Sequence, residues 1–408
     1  MSEPTEAFEP QEMLTPHIAR VFDIQQIIPG GGRFPFITKY VGRLTQDSET
    51  AYAALSHSLD KMGITPLFLE EKGQHIIQLM PSPPKPKGSN PLVNLVMFIL
   101  TVVSMLMAGT LYSYDGPAVE DSMLLIQQVF ARLGDGVPFA ASLLAILLAH
   151  EFGHYLAARY HKTAVTLPYF LPFPLSIFGT LGAFIQLKEP PRNKRVLLDI
   201  GLAGPLAGLL VAIPVLLLGL SLSEITQLPN FVRAGDAYSL EGNSILYLLA
   251  KYAVHGQWLP QPASYELSPL LHWVRFLFTG QPIPLGGADV FLHPIAWAGW
   301  AGLLVTALNL IPAGQLDGGH LLYSLLGKLS SFALPVILGV LAVLGFFWSG
   351  WWLWVFLILM MGGRHAQPLD QITQLDRPRI LLAIFGLIIF LLVFIPVPLQ
   401  IIEGPFGG

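Results

Sequence analysis

The chain has 408 residues, of which 53% are hydrophobic and only 12% charged, with a formal net charge of −4. Soluble domains carry about 25% charged residues, so this composition argues against an ordinary soluble globule and for a chain that crosses a membrane several times. No basic stripe interleaved with aromatics offers nucleic acid a footprint. The lack of cysteine excludes disulfides, thiolate metal sites, Fe–S clusters and a cysteine nucleophile.

The first residues, MSEPTEAFEPQEM, have neither the basic start and apolar core of a signal peptide nor the Arg-rich character of a transit peptide. The expected location is therefore a bacterial plasma membrane. Residues 1–80 predict a small soluble α+β domain with a regulatory or substrate-interaction role. Within it, 36–44 (FITKYVGRL) reads as a strand and 47–61 as a helix capped by Asp47 or Ser48. Residues 65–71 and 75–80 read as a hairpin around KGQ. Residues 81–91 (PSPPKPKGSNP) form a Pro-rich, semi-rigid linker.

Residues 92–408 predict the membrane domain. A helix needs about 20 apolar residues to cross the hydrocarbon core. Segments 92–112, 137–160, 196–220, 295–311, 332–361 and 380–397 are the candidates. The stretch 332–361 is too long for one ordinary span, and Ser349-Gly350 suggests two short helices joined by a turn. The fold expected is a polytopic α-helical membrane protein with six or seven spans and a small soluble N-terminal domain. No internal repeat supports a transporter built from inverted repeats. Lys and Arg cluster between the second and third spans (Arg159, Lys162, Lys188, Arg192, Lys194, Arg195) and around Arg364, Arg377 and Arg379. By the positive-inside rule, these loops and the N-terminal domain are cytoplasmic.

The second span ends in AHEFGHYLAARY. On a helix, His150 and His154 stack on one face and can share one ion, while Glu151 beside the first can take a proton from a metal-activated water. On a soluble surface helix the same pattern could be innocent. Inside a span, three ionisable residues within five positions are costly and functional by default. Two ligands are too few for catalytic zinc, which takes three plus water. The segment 306–320, TALNLIPAGQLDGGH, breaks its helix at Pro312 and Gly314 and places Asp317 just beyond. Spacing alone leaves Asp317 equally readable as a third ligand or as the cap of a D-G-G turn.

H-E-F-G-H in one span with N-L-I-P-A-G-Q-L-D-G-G far downstream resembles the site-2 protease family of intramembrane zinc metalloproteases. AGPLAG (203–208), FGTLGAFI (178–185) and HPIAWAGWAGLLVTALN (293–309) are similar too, most of all to the EGY-type branch of plastids and cyanobacteria. The resemblance implies one Zn2+ per chain held by His150, His154 and Asp317, with Glu151 as general base. It implies a transmembrane protein as substrate, with Asn309 near the substrate or oxyanion. The N-terminus departs from the plastid members in lacking a transit peptide.

Other segments suit such a site. Residues 178–187 alternate small and apolar side chains around Gly179 and Gly182, as a bent hairpin would. Its edge could take an unwound substrate by strand addition, or it could be a packing loop. The prolines of LPYFLPFPLSI (167–177) rule out a regular helix there and suggest a membrane-skimming segment. His293 before Pro294 reads as a helix start. Trp297, Trp300, Trp348, Trp351, Trp352 and Trp354 read as interfacial anchors. In the outer segment 221–289, a helix is expected over 243–255. Two readings compete with a protease: a transporter or channel with structural zinc, and a membrane-anchored signalling partner.

Overall fold

A computed structural model describes residues 10–31, 34–84, 90–114, 116, 121–233, 237–361 and 367–404. The centre of the expected linker, residues 85–89, and Arg364 lie outside them.

The N-terminal unit consists of α1 (Pro10–Ala19), β1 (Phe22–Gly31), β2 (Phe34–Leu44), α2 (Ser48–Asp60), β3 (Ile64–Glu71) and β4 (Gln74–Pro81). Its antiparallel sheet has the order β1-β2-β4-β3. Asp47 caps α2 by accepting from the Thr50 amide at 3.2 Å, which satisfies one of the four orphan donors at a helix start. Leu55 and Leu59 of α2 meet Tyr40, Phe68 and Ile77 of the sheet, with Leu14 and Ile18 of α1 alongside.

This unit is fastened to the rest of the chain by a distant strap. Leu369 and Ile372 pack against its core. The Phe68 amide donates to the Leu369 carbonyl at 2.9 Å, and the Gln371 amide to the Phe68 carbonyl at 3.0 Å. Asp370 is fully buried and accepts from Ser48 Oγ at 2.8 Å and from the amides of Ile372 and Thr373 at 3.0 and 3.1 Å. Arg195 and Asn193 both donate to Glu49 at 2.6 and 3.2 Å.

The remaining elements, in order, are α3 (Pro91–Tyr112), α4 (Ser122–Ala131), α5 (Val137–Tyr160), β5 (Tyr169–Pro172), β6 (Thr180–Phe184) and α6 (Lys194–Ser221). There follow β7 (Glu224–Gln227), β8 (Ala237–Glu241), α7 (Ile245–His255), α8 (Pro269–Thr279), β9 (Ala288–Phe291) and α9 (Pro294–Asn309). The chain then forms α10 (Asp317–Leu326), α11 (Ser330–Leu344), α12 (Gly350–Met361), α13 (Arg377–Val393) and β10 (Leu399–Glu403).

Among the described residues, four helical stretches are long and apolar enough to cross a membrane: Pro91–Tyr112, Leu133–Tyr160, Lys194–Ser221 and Asp317–Leu344. α5, α6 and α9 form the central layer through Leu143, Ile146, Leu209, Leu216, Ala298 and Ala301. Leu92 and Ile99 of α3, Phe332 and Val336 of α11 and Leu381 and Phe385 of α13 are exposed. An apolar exterior of this kind suits hydrocarbon rather than water. The long stretch 332–361 does divide, with α11 ending at Leu344 and α12 beginning at Gly350.

Several expectations are revised. The hairpin next to the metal helix takes its first strand from within the Pro-rich segment, as β5 pairs antiparallel with β6. Trp297, Trp300 and Trp351 are buried core residues, and the indoles of Trp300 and Trp351 donate to the carbonyls of Gly242 and Pro396 at 2.8 and 2.6 Å. A Trp whose N–H finds a buried acceptor packs as well as any core aromatic. His293 does open α9, its Nδ1 accepting from the Ile295 amide at 3.3 Å.

Candidate metal centre

The site begins with α5, an apolar helix whose last three turns carry His150, Glu151 and His154, all buried. Four residues is slightly more than one helical turn, so the imidazoles stack and their Nε2 atoms lie 3.2 Å apart. Crossing behind them is α6, where the AGPLAG segment earns its glycines. A Cβ at Gly204 would overlap the His154 ring, and one at Gly208 would lie 3.2 Å from His150 Nδ1. In return, a Cβ at Gly153 of α5 would run into the carbonyl of Ala203. Each helix is therefore bare where the other must approach.

α6 also fixes a tautomer. The Ile200 carbonyl lies 2.7 Å from His154 Nδ1, and a carbonyl can only accept, so Nδ1 carries the hydrogen and Nε2 keeps its lone pair for a metal. One residue earlier, Asp199 accepts from Arg379 of α13 at 2.9 and 2.7 Å and pairs with His161, just past α5, at 2.9 Å. This fork ties α6 and α13 to the end of α5, beyond the histidines.

The third group arrives from α9 and α10. α9 stops at Asn309, the chain turns through Leu310–Leu316, and α10 starts on Asp317. The glycines after it permit the fold-back: a Cβ on Gly318 or Gly319 would collide with the carbonyls of Leu310 or Gly314. Asp317 Oδ2 thereby reaches 3.2 Å from His154 Nε2 and 3.6 Å from His150 Nε2. Zn–N and Zn–O bonds of about 2.0–2.1 Å in a tetrahedron separate ligand atoms by about 3.3 Å. The three observed separations bracket that value, and the donor set of two imidazoles and a carboxylate is one catalytic zinc takes. The residues fit the ion.

Glu151 lies between two cavities of about 240 Å3 each. The first is the metal chamber, with His150, His154, Asp317 and His320 in its wall. The second is apolar, walled by Leu143, Leu147, Leu304, Val305 and Leu308. Glu151, Asn309 and Ala183 of β6 line both. Glu151 Oε2 is buried without a protein hydrogen-bond partner among the described residues, as expected of a carboxylate whose partner is a small molecule. Asn309 Nδ2 lies 3.3 Å from His150 Nε2.

The two glycines of the hairpin part company. Gly182 (φ +96°) lines the apolar cavity. Gly179 (φ +71°) sits in the turn against α3, where Ser104 Oγ donates to its carbonyl at 2.5 Å, and a Cβ would strike the Ser104 carbonyl. Three features of the site were not foreseen from sequence: the Ile200 carbonyl, the Asp199–Arg379 fork and the helix-to-helix fit at Gly204 and Gly208. AGPLAG held the last signal, since small residues at four-residue spacing mark a helix face that another helix can approach closely.

A family model described as "Peptidase family M50" matches residues 138–346. Among the curated relatives, "Probable zinc metalloprotease EGY2, chloroplastic" of Oryza sativa subsp. indica is 30% identical over 291 residues, covering 71% of this chain and 48% of that protein. "Probable zinc metalloprotease EGY1, chloroplastic" of Arabidopsis thaliana is 31% identical over 325 residues, covering 75% and 53%. "Probable zinc metallopeptidase EGY3, chloroplastic" of Arabidopsis thaliana is 28% identical over 271 residues, covering 63% and 42%. The chain thus spans about half the length of the curated relatives it matches. No solved structure matches it.

Proposed function

The chain belongs to peptidase family M50, and from that premise we propose that it is an intramembrane zinc endopeptidase cleaving peptide bonds in transmembrane segments of other proteins. The observation that carries the reading is the meeting of His150, His154 and Asp317 around one point, with a partnerless buried carboxylate, Glu151, beside it.

His150, His154 and Asp317 would hold the zinc, which when bound supplies Lewis acidity to polarise the scissile carbonyl and activate water. Glu151 takes the proton from the attacking water and passes it to the leaving amine, which is general acid–base work within the metal chamber. Asn309, whose Nδ2 lies 3.3 Å from His150 Nε2, would donate to the oxyanion as charge develops. The apolar cavity on the other side of Glu151 accommodates a bulky apolar side chain of the substrate.

A transmembrane helix hides its amides in its own hydrogen bonds and must unwind before attack. Among the described residues β6 pairs with β5 on one edge only, and Ala183 and Phe184 of β6, with Ile185 just after it, border the metal chamber. An unwound substrate adds to the free edge as a further strand, with Gly182 leaving room. Counting α9, the α11–α12 pair and α13 with the longer helices gives six or seven membrane-crossing elements. The Lys/Arg distribution supports a topology with the N-terminal unit and the metal centre near the cytoplasmic face, or near its equivalent, the stroma, in a plastid.

The test measures zinc content and cleavage of a single-span test substrate in liposomes, comparing the native protein with Glu151→Gln. Both should hold about one zinc per chain, while the variant loses about 10²–10⁴-fold in rate. A native protein that binds no zinc overturns the proposal, as does a variant that cleaves normally.

A further inference from the structure

Away from the metal centre, a polar cavity of about 270 Å3 opens where the N-terminal unit meets the membrane part. Its walls come from four places: Glu70 at the end of β3, Lys194 at the first turn of α6, the end of α10 with Gly327 and Lys328 just after it, and Gln371 and Gln374 beside the strap. Lys194 is only 9% exposed, yet no hydrogen bond or ion pair holds its ammonium among the described residues. Its Nζ sits against Gly327, where an added Cβ would lie 3.5 Å away. Gly327 has φ +58° and ψ −132°, a conformation essentially restricted to glycine, so that wall stays open.

In the wall itself the lysines outnumber the carboxylates, and Asp370 of the strap adds its attraction on Lys194 from behind the wall. Lys328 lines it and, among the described residues, reaches only the Glu70 carbonyl, at 3.4 Å. Asp370, a carboxylate of the strap, is turned inward and taken up by Ser48 and Thr373. Glu70 is the one acidic side chain in the wall, against two lysines, and it is exposed to solvent. The Lys194 ammonium faces this cavity, where an anion would give it a direct partner. A lysine beside a polar hollow of this size is a common way of holding phosphate as a point charge.

We propose that this cavity binds an oxyanion of the phosphate-monoester class, held by Lys194 and Lys328 and bridging the N-terminal unit, α6 and α10. The anion could be a free phosphate compound or the headgroup of a lipid, since Lys194 begins a membrane-spanning helix. α10 runs from this cavity to Asp317, about 15 Å at 1.5 Å per residue. Occupancy therefore stiffens the element that carries a metal ligand.

The experiment follows the unfolding midpoint of the full chain in nanodiscs. One arm adds inorganic phosphate to neutral phosphatidylcholine discs, with chloride keeping the ionic strength constant. The other omits free phosphate and includes phosphatidic acid in the disc. The native protein should gain on the order of 2 °C or more in at least one arm, and the arm that responds identifies the source. Lys194→Met should lose the response while keeping about the stability of the anion-free native protein, because no hydrogen bond or ion pair among the described residues is removed. Lys328→Ala, a surface change that leaves folding intact, should shift the half-saturating concentration upward about tenfold. The proposal is overturned if neither arm responds, or if the native protein and Lys328→Ala respond alike, which would make the effect an adventitious ion only.

Discussion

Two clusters of buried charge sit in this molecule, and they solve the same problem in opposite ways. At the metal centre, buried Glu151 and half-buried Asp317 lie beside two imidazoles, and the ion pairs among the described residues bring no lysine or arginine to them. On the far side, Glu241 of β8 and Asp289 of β9 face Lys251 of α7, whose ammonium is fully buried 3.9 and 3.6 Å from them. That ammonium also lies 4.5 Å from the centre of the Tyr247 ring, and the Tyr247 hydroxyl donates to Glu241 at 2.9 Å. One cluster carries its own cation; the other is shaped to receive one. Buried carboxylates need a positive partner, so where the chain supplies none, a metal is the physical expectation.

The comparison breaks most visibly when each cluster loses its means of compensation. His154→Ala removes a ligand and should abolish zinc binding, read by metal analysis, together with at least 10³-fold of cleavage. Lys251→Met should leave zinc in place but strand two carboxylates, costing roughly 3–5 kcal/mol in unfolding experiments. If that variant lost its zinc as well, the two clusters would not be independent. Gly204→Ala tests how the receiving cluster is shaped. The new methyl pushes α6 off His154, with an expected cost of about 1–3 kcal/mol and a 10–100-fold fall in zinc affinity.

The smallest effect concerns pH. Burial, reinforced by the facing Asp289, pushes the Glu241 carboxyl up to about 7 from its ordinary 4.5. Lys251 and the Tyr247 hydroxyl pull the other way without cancelling that shift. Because the folded state holds the proton more tightly, the contribution is fully present below about pH 4.5 and is lost as pH rises through about 7. The unfolding midpoint of the native protein should fall across that window, and Glu241→Gln should flatten the profile. A variant with the native slope would remove Glu241 from the account.

The two clusters also differ in how far the sequence revealed them. His150, Glu151 and His154 are legible because helical periodicity alone brings them together. Asp317 lies far along the chain, and its approach depends on a break at Pro312 and Gly314 whose direction spacing does not fix. Glu241, Lys251 and Asp289 come from two strands and a helix without any periodic relation, so nothing in the sequence singles them out. The same contrast runs through the fold. The strands and helix of 36–80 show clear alternation and caps, whereas β1 carries two register shifts and α1 contains Pro16, and neither was anticipated. The Pro-rich stretch read as irregular still supplies β5, because a proline at the end of a short edge strand costs no ladder hydrogen bond there.

The strap at Leu369–Gln371 bears on how the chain is made. It satisfies the outer edge of β3, yet it is synthesised about 300 residues after Phe68. At about 5–20 residues per second, translation leaves that edge without its final partner for about 15–60 s, the interval in which an open strand is most apt to pair with another chain. The soluble unit is therefore completed only after most of the membrane helices have been synthesised, so its docked form reports that the rest of the chain has arrived.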